Sequence, residues 1–249
     1  MKRKFLILFV PLLLSMTSAY AQNFEYKWKR VAMDSLYDSN KVYEVDRIVS
    51  EHQGAMESLM KVLIHSDSEI QRGDAPETPM SNFSADFLLF SARKYIDNDY
   101  PTMSLTNRGG IRSNFPEGAI RVYDVMSTYP FDNNIVVAQI KGKQIRRILE
   151  RFIGRNKFEA LGGIELHVKN NKLDKCLIGG RELKDNELYN LVTIDFLLDG
   201  GDRFFIGKQA ESILRTEVKM MDAAIAYLEH LNEQGITLSN KVDRRIKFE

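Results

Sequence analysis

The order of the helical and extended segments is the feature that most constrains how this chain folds. Apolar residues at helical spacing occur in several separate stretches, and runs rich in β-branched residues lie between them. The two kinds of segment do not alternate in the regular strand–helix order of a parallel α/β protein. We therefore predict an α+β fold in which mixed β-sheets are covered by helices.

Individual elements can be placed along the chain. Apolar residues at helical spacing predict helices over residues 44–63, 82–96, 143–152 and 218–231. Alternating or β-branched residues predict strands over residues 103–105, 135–140, 164–168, 176–178, 189–196 and 242–248. Asn170 and Asn171 predict a hairpin turn between the third and fourth of these strands.

The first 21 residues have the composition of a secretory signal peptide. A basic start precedes an apolar run, and Ala19-Tyr20-Ala21 fits the small-x-small cleavage rule. The run is too short to span a bilayer, and no later segment is apolar for long enough to do so. We expect cleavage near Ala21 and a periplasmic or secreted protein. Residues 22–43 would then form a polar lead, and residues 44–249 the folded domain.

Charge and cysteine content narrow the classes of partner and chemistry. Cleavage would remove three basic residues and leave 32 basic against 34 acidic residues. A balance so close to neutral argues against nucleic acid or an anionic membrane surface as the main partner. The only cysteine, Cys176, cannot form an intramolecular disulfide. We expect it to be a small core or strand residue rather than a nucleophile.

The segment Asn107-Arg108-Gly109-Gly110-Ile111-Arg112 is a candidate anion-binding loop. Its adjacent glycines permit a tight turn and the close approach of a ligand. Arg112 can form two parallel hydrogen bonds with a phosphate or carboxylate, and Asn107 adds a neutral donor and acceptor. The same six residues also fit an ordinary glycine turn followed by a surface arginine. The loop alone does not decide between these interpretations.

Two later segments place aromatic residues beside turn-forming residues. Phe131 and Asn133 follow Pro130 and precede a predicted buried strand, whereas Phe196 ends a strand that leads through two glycines to Asp202. Two phenylalanine rings can clamp a flat ring between them, and a carboxylate can accept hydrogen bonds from ribose hydroxyls. The alternatives are that Phe131 is a core residue and that Asp202 only forms a turn.

The sequence offers little for metal catalysis. The four histidines are His52, His65, His167 and His230, and no pair has the spacing of metal ligands. Neither a Gly-x-Ser-x-Gly elbow nor a Walker phosphate loop is present. The residues are those of a binding protein, without the usual arrangements for activating water.

Taken together, these segments resemble the C-terminal domain of the 5′-nucleotidase family, which includes bacterial UDP-sugar hydrolase and animal ecto-5′-nucleotidase. The resemblance covers the chain from about residue 44 to the C-terminus. The matching blocks are Asn107-x-Gly109-Gly110-Ile111-Arg112, Gly118 and Ile120, Pro130-Phe131-x-Asn133, Gly142, and Asp195-Phe196-x-x-x-Gly200-Gly201-Asp202. A weaker upstream match is Glu77-Thr78-Pro79-x-x-Asn82-x-x-Ala85-Asp86.

The resemblance implies a substrate-binding role and an α+β fold with helices on both sides of paired sheets. By motif, Arg112 and Asn107 would contact the phosphate region, and Gly109 and Gly110 would permit the close approach of the substrate. Phe131 and Phe196 would sandwich the base, Asp202 would bind the ribose hydroxyls, and Asn133 would contact the base. The substrate-binding residues that the resemblance implies are Asn107, Gly109, Gly110, Arg112, Phe131, Asn133, Phe196 and Asp202.

Two departures from the family pattern bear on function. Family members carry arginine just upstream of the helix predicted at Asn82, where this chain reads Ala75-Pro76-Glu77, so that Arg72 is the nearest substitute. In addition, the metallophosphatase half that holds two metals in full-length members has no counterpart in this sequence. We therefore expect no cofactor in this chain and divalent metals in a separate metallophosphatase chain.

The sequence thus leads to one main hypothesis and two alternatives. The main hypothesis is the nucleotide- or nucleoside-binding half of a secreted 5′-nucleotidase-type phosphohydrolase, which positions the substrate for a partner metallophosphatase. The first alternative is a nucleoside-binding protein without a catalytic partner. The second is a scaffold whose pocket no longer binds nucleotides.

Overall fold

The computed structural model describes Lys27 and residues 42–249. The chain divides into two compact units, residues 1–48 and residues 49–249. The expected signal peptide and nearly all of the expected N-terminal lead lie outside the described residues. Within the described part, no helix combines the length and the hydropathy needed to cross a bilayer.

The described residues form helices and strands that alternate irregularly, as the sequence predicts. The helices are α1 (Tyr43–Met60), α2 (Pro79–Ala92), α3 (Val122–Thr128), α4 (Gly142–Arg155), α5 (Asp195–Leu198) and α6 (Met220–Glu233). The strands are β1 (Val62–Ser66), β2 (Thr102–Thr106), β3 (Gly118–Arg121), β4 (Asn134–Lys141), β5 (Ala160–Gly162), β6 (Ile164–Lys169), β7 (Lys172–Ile178), β8 (Arg181–Glu182), β9 (Leu188–Ile194), β10 (Ala210–Lys219) and β11 (Ile246–Phe248).

The strands form three sheets, two of them mixed. The largest has five strands in the order β10-β4-β9-β2-β5, in which only β2 and β9 run parallel to each other. A four-stranded sheet has the order β11-β6-β7-β8, and a two-stranded sheet pairs β1 with β3. These mixed sheets with their helices confirm the predicted α+β class.

The five-stranded sheet lies at the centre of the core. Every residue of β9 from Tyr189 to Ile194 is buried, although successive side chains point to opposite faces of the sheet. Both faces of this strand are therefore covered. Helix α2 packs on β2, β5 and β9, and also on α6, while α4 contacts both β4 and β7. Buried Phe87 of α2 forms an edge-to-face contact with Tyr129.

Most predicted elements are present, with shifted ends. The first predicted helix stops at Met60, and Leu63 belongs to strand β1 instead. The second predicted helix ends at Ala92 rather than at residue 96, because its chain then enters a series of turns. The strand predicted over 189–196 ends at Ile194, so Phe196 lies in the short helix α5. Asn170 and Asn171 both have positive φ, which confirms the predicted hairpin turn.

A buried ionic cluster joins the C-terminal segment to helix α2. The guanidinium of Arg245, which is only 8% exposed, donates to both carboxylate oxygens of Asp86 at 2.9 and 3.0 Å. It also donates to Asp243 at 2.9 Å. Glu77 accepts hydrogen bonds from Asn82 and from the backbone of the C-terminal segment. The polar residues of the upstream match therefore stabilise the attachment of the C-terminal strand.

Candidate functional site

Strand order brings the three motif segments to one edge of the five-stranded sheet. Because β2 and β9 are parallel neighbours, their carboxyl ends lie at the same edge. The Asn107 loop leaves the end of β2, and the segment with Phe196 leaves the end of β9. Strand β4 is antiparallel to β9, with Ile135 opposite Ile194, so Phe131 precedes β4 at this same edge.

The Asn107 loop is a single turn of 3-10 helix over Arg108–Gly110. Neither glycine of this turn has positive φ. Instead, a Cβ on Gly110 would lie 3.0 Å from Oδ1 of Asn107, whose side chain folds back over the turn. The close approach of Asn107, which is 6% exposed, therefore favours glycine at this position. Its Oδ1 is buried and accepts no hydrogen bond from the described residues.

The Gly-Gly segment after α5 has an unusual backbone. Gly200, Asp202 and Phe205 all have positive φ, a conformation that glycine adopts without strain and other residues adopt at a cost. A Cβ on Gly201 would overlap the ring of Phe196, which therefore lies directly over this glycine. The ring is still 44% exposed. Asp202 points toward the Asn107 loop and accepts a 2.7 Å hydrogen bond from Asn107 Nδ2.

Arg112, the last residue of the Asn107 loop, lies next to Phe131. The guanidinium carbon of Arg112 is 5.7 Å from the centroid of the Phe131 ring, which is a cation–π contact. Arg112 also donates to the carbonyl oxygen of Gly109 at 3.1 Å. Phe131 is 48% exposed, so the structure does not place it in the core.

Asn133 and its neighbours connect the Phe131 segment to the Phe196 segment. The carbonyl oxygen of Asn133 accepts a hydrogen bond from Met220 N–H, while its side chain is half-buried. The next residue, Asn134, donates from its backbone and its side chain to Asp195, each at 3.0 Å. Asp195 thereby fixes the two segments relative to each other. This positioning role was not predicted from the sequence, although Asp195 belongs to a matched block.

Arg108, which the sequence interpretation left without a role, occupies the region of the missing upstream arginine. Its guanidinium donates to the carbonyl oxygens of Gly73 at 3.0 Å and Pro76 at 2.7 Å, and also to that of Ala75. The predicted substitute, Arg72, instead donates to the carbonyl oxygen of Arg112 at 2.8 Å. The side chain nearest the Ala75-Pro76 position is therefore that of Arg108, and burial lowers its pKa.

Arg151 is a second residue that sequence reasoning missed. It lies in the last turns of α4 and donates to the carbonyl oxygens of Asp202 and Arg203 at 3.2 and 3.1 Å. Its guanidinium also lies 5.1 Å from the centroid of the Phe204 ring. The residue supports the strained backbone around Asp202. No local pattern indicates this contact, since it joins elements about fifty residues apart.

Within the part of the chain that the structure describes, no group of three or more His, Cys, Asp or Glu side chains is arranged to hold a metal ion. His52 and His230 lie on helices and His167 on a strand, as predicted. Cys176 is buried in β7, in agreement with its predicted role as a core residue.

The fold is of the α+β class, and these loops form its candidate site. Residues 54–208 match the family described as the 5′-nucleotidase, C-terminal domain. The chain therefore belongs to this family. Its motif loops are those that the structure gathers at the edge of the five-stranded sheet.

Individual relatives and solved structures agree with this assignment. The chain is 28% identical to the trifunctional nucleotide phosphoesterase protein YfkN of Bacillus subtilis. That match covers 73% of this chain and 13% of YfkN. The chain is 26% identical to the human 5′-nucleotidase over 77% of its length, or 37% of the human protein. The structure superposes on the 5′-nucleotidase precursor of Thermus thermophilus with a TM-score of 0.68 and 21% identity. That match covers 83% of this chain and 43% of the other.

A second solved structure, the NAD nucleotidase of Haemophilus influenzae, superposes with a TM-score of 0.63 and 16% identity over 91% of this chain and 47% of the other. At these identities the two superpositions establish the fold alone. The chain spans less than half the length of each of these relatives.

Proposed function

We propose that this chain is the nucleotide- or nucleoside-binding half of a 5′-nucleotidase-type phosphohydrolase. The observation that carries the proposal is the meeting of three motif segments at one sheet edge, with Asn107 bonded to Asp202 and Arg112 stacked on Phe131. An aromatic base would insert between Phe131 and Phe196. The ribose hydroxyls would be bound by Asp202, and Asn133 would contact the base.

The charges of the site suit a phosphorylated ligand. Arg112 would hold the phosphate with its planar guanidinium, which matches the oxygens of a phosphate group. Arg108 lies one residue before Gly109 and would add positive charge at the position where relatives of this family have an upstream arginine. Because both rings are about half exposed in the absence of a ligand, a bound base would remove apolar surface from water.

The metals for hydrolysis would be supplied by a separate metallophosphatase chain, after export of both proteins to the periplasm or medium. This division of labour is motivated by the absence of a cluster of metal-binding side chains among the described residues. The partner would activate water by two-metal chemistry, and this chain would position the substrate.

Calorimetry with adenosine and AMP tests the binding role. We expect the wild-type chain to bind both, and Phe131→Ala and Phe196→Ala each to weaken binding by about 1–3 kcal/mol, the usual contribution of a base stacked on an aromatic ring. Tyr123→Ala removes a similarly exposed ring from α3 and serves as the control. Absence of binding by the wild type, with the chain folded, would favour the scaffold alternative.

Hydrolysis assays test the division of labour. Purified chain, a metallophosphatase encoded beside it, and their mixture are each assayed for phosphate release from AMP with a divalent metal. Turnover by the mixture alone, or a large stimulation of the phosphatase, is the expected result. Metal-dependent turnover by this chain alone would contradict the proposal, and binding without stimulation would favour a nucleoside-binding protein.

A further inference from the structure

A cavity of about 840 Å³ adjoins the motif residues and contains an excess of positive charge. Gly109 and Asp202 line it, whereas Arg112, Phe131 and Phe196 are not among its lining residues. It therefore adjoins the proposed base site between Phe131 and Phe196 without including either ring. Its basic residues are Arg72, Arg108, Arg151, Arg155, Lys157 and Arg203.

These cations outnumber the carboxylates of the cavity, of which Glu159 and Asp74 act on the charge of Arg108. None of the six forms a salt bridge within the described part of the chain. The acidic residues that line the cavity are Asp74, Glu159 and Asp202. Two of them already accept hydrogen bonds from neutral donors: Glu159 from the Arg108 backbone N–H at 2.7 Å and Asp202 from Asn107. The cavity thus has a net charge of +3, whereas the entire chain has +1.

Two of the guanidinium groups are held in place before any ligand binds. Arg108 is fixed by main-chain carbonyl oxygens of residues 73–76, and Arg151 by those of Asp202 and Arg203. Carbonyl oxygens orient a guanidinium and do not cancel its positive charge. Arg108 is also partly desolvated, which strengthens its attraction for an anion. Its buried Nε has no hydrogen-bond partner among the described residues.

The amount of charge indicates the class of ligand. A phosphate group carries about −1.5 to −2 at neutral pH, so an excess of +3 is matched by about two such groups. The volume lies within the range of roughly 300–1,000 Å³ that is typical of small-molecule sites. A single phosphate or carboxylate would leave most of the cations without a partner.

We propose that this basic cavity binds a chain of two or more phosphate groups, in addition to the phosphate position at Arg112. Arg108, whose terminal N–H groups already donate to protein oxygens, would contribute a fixed positive charge. Arg151 would provide donors held in place by Asp202 and Arg203, and Arg155 and Lys157 would contact the ligand from the end of α4. The chain of phosphates can come from free polyphosphate or from a nucleoside di- or triphosphate. Only the second source depends on the function proposed above.

The test uses calorimetry at constant ionic strength with sodium tripolyphosphate, orthophosphate, ADP, AMP and adenosine. The informative variant is Arg155→Gln/Lys157→Gln, because both side chains are exposed and make no contact that the fold requires among the described residues. The matched control, Lys172→Gln/Lys175→Gln, removes two exposed cations from β7. Thermal melting of both variants checks that they remain folded.

We expect the wild type to bind tripolyphosphate more tightly than orthophosphate, and the cavity variant to lose about tenfold or more in that affinity, the effect of removing one or two charge-assisted hydrogen bonds. The control should change by less than about twofold, as a surface charge outside the site does. Binding of adenosine should be unchanged in both variants. Free tripolyphosphate could fail to bind while the preference for ADP over AMP disappears in the cavity variant. In that case the phosphate chain that the cavity binds is that of a nucleotide.

Two results would overturn the proposal. One is the absence both of tripolyphosphate binding and of any preference for ADP over AMP that depends on Arg155 and Lys157. The other is an equal loss of tripolyphosphate affinity in the control variant, which would indicate non-specific electrostatic attraction. If adenosine binding that depends on Phe131 is found together with either result, the proposed function still holds and only the proposed role of this cavity is contradicted.

Discussion

Asn107 donates a 2.7 Å hydrogen bond from Nδ2 to Oδ2 of Asp202, which joins two loops that lie 95 residues apart in the chain. The bond links the turn after β2 to the strained backbone after α5. It is possible because β2 and β9 are parallel neighbours and end at the same sheet edge. The two candidate ligand-binding residues therefore also fix each other in position.

A double-mutant cycle should detect this contact in the free energy of unfolding. Asn107→Ala and Asp202→Ala are each expected to destabilise the protein, and the double variant by less than their sum, with a coupling energy of about 0.5–1.5 kcal/mol. Urea denaturation provides the measurement. Asn107→Ala combined with Asp174→Ala, an exposed carboxylate of β7, should be additive. Additivity in the Asn107–Asp202 cycle would contradict the contact.

Two glycines of helix α4 should respond oppositely to alanine. A Cβ on Gly142 would overlap the main-chain oxygen of Lys184, whereas a Cβ on Gly154 would meet nothing within 4 Å. We expect Gly142→Ala to destabilise the protein by about 1–3 kcal/mol through overpacking. Gly154→Ala should stabilise it by up to about 1 kcal/mol through helix propensity. Thermal and urea denaturation measure the stability of both variants. Similar effects of the two substitutions on stability would contradict this explanation.

Arg245 should be among the most sensitive positions for stability. Its buried guanidinium pairs with the partly exposed carboxylates of Asp86 and Asp243, and its removal deletes these charge-assisted hydrogen bonds. We expect Arg245→Met to destabilise the protein by about 1.5–3 kcal/mol, the scale of hydrogen bonds to charged groups. Arg181→Met, at an exposed position of β8, is the control and should change stability by less than about 0.5 kcal/mol. A small effect of Arg245→Met would mean that the C-terminal segment does not need this cluster.

The two carboxylates of the cluster should give opposite pH dependence. Hydrogen bonding to Arg245 lowers the pKa of Asp243 below its ordinary 3.8, whereas burial raises the pKa of Asp86. The stability contributed by Asp243 is present above its unfolded pKa and is lost as pH falls through its folded pKa. The contribution of Asp86 is lost as pH rises through its folded pKa.

Urea denaturation between about pH 6 and about pH 3 tests this difference. The destabilisation caused by Asp243→Asn should shrink as the pH falls, and that caused by Asp86→Asn should grow. Parallel trends for the two variants would show that the assigned directions are wrong for one of them.

Cys176 should be inert in the folded protein. Burial raises the pKa of its thiol to about 12, and the thiolate is the reactive form. We expect very slow reaction with a disulfide reagent at about pH 8, where an ordinary thiol with a pKa of about 8.5 reacts readily. Guanidinium chloride should increase the rate by exposing the side chain. Rapid reaction of the folded protein would show that β7 opens or that the thiol is accessible.

Local sequence accounts for much of the fold. The hairpin at Asn170-Asn171, the largely buried strand around Val136 and the basic helix that begins at Gly142 follow from turn chemistry, β-branched residues and helical spacing. The predicted ends fail where tertiary contacts decide them. Leu63 continues the helical spacing of α1, for example, but pairing with β3 makes it part of a strand.

The sequence by itself determined the elements, the motif residues and their family, because these depend on local spacing and on residue type. Only the tertiary structure decided that β2 pairs in parallel with β9, since strand order depends on long-range packing that no local pattern encodes. That single pairing places Asn107 beside Asp202. It also allows Arg108 and Arg151, from separate elements, to line one cavity with a common excess of charge.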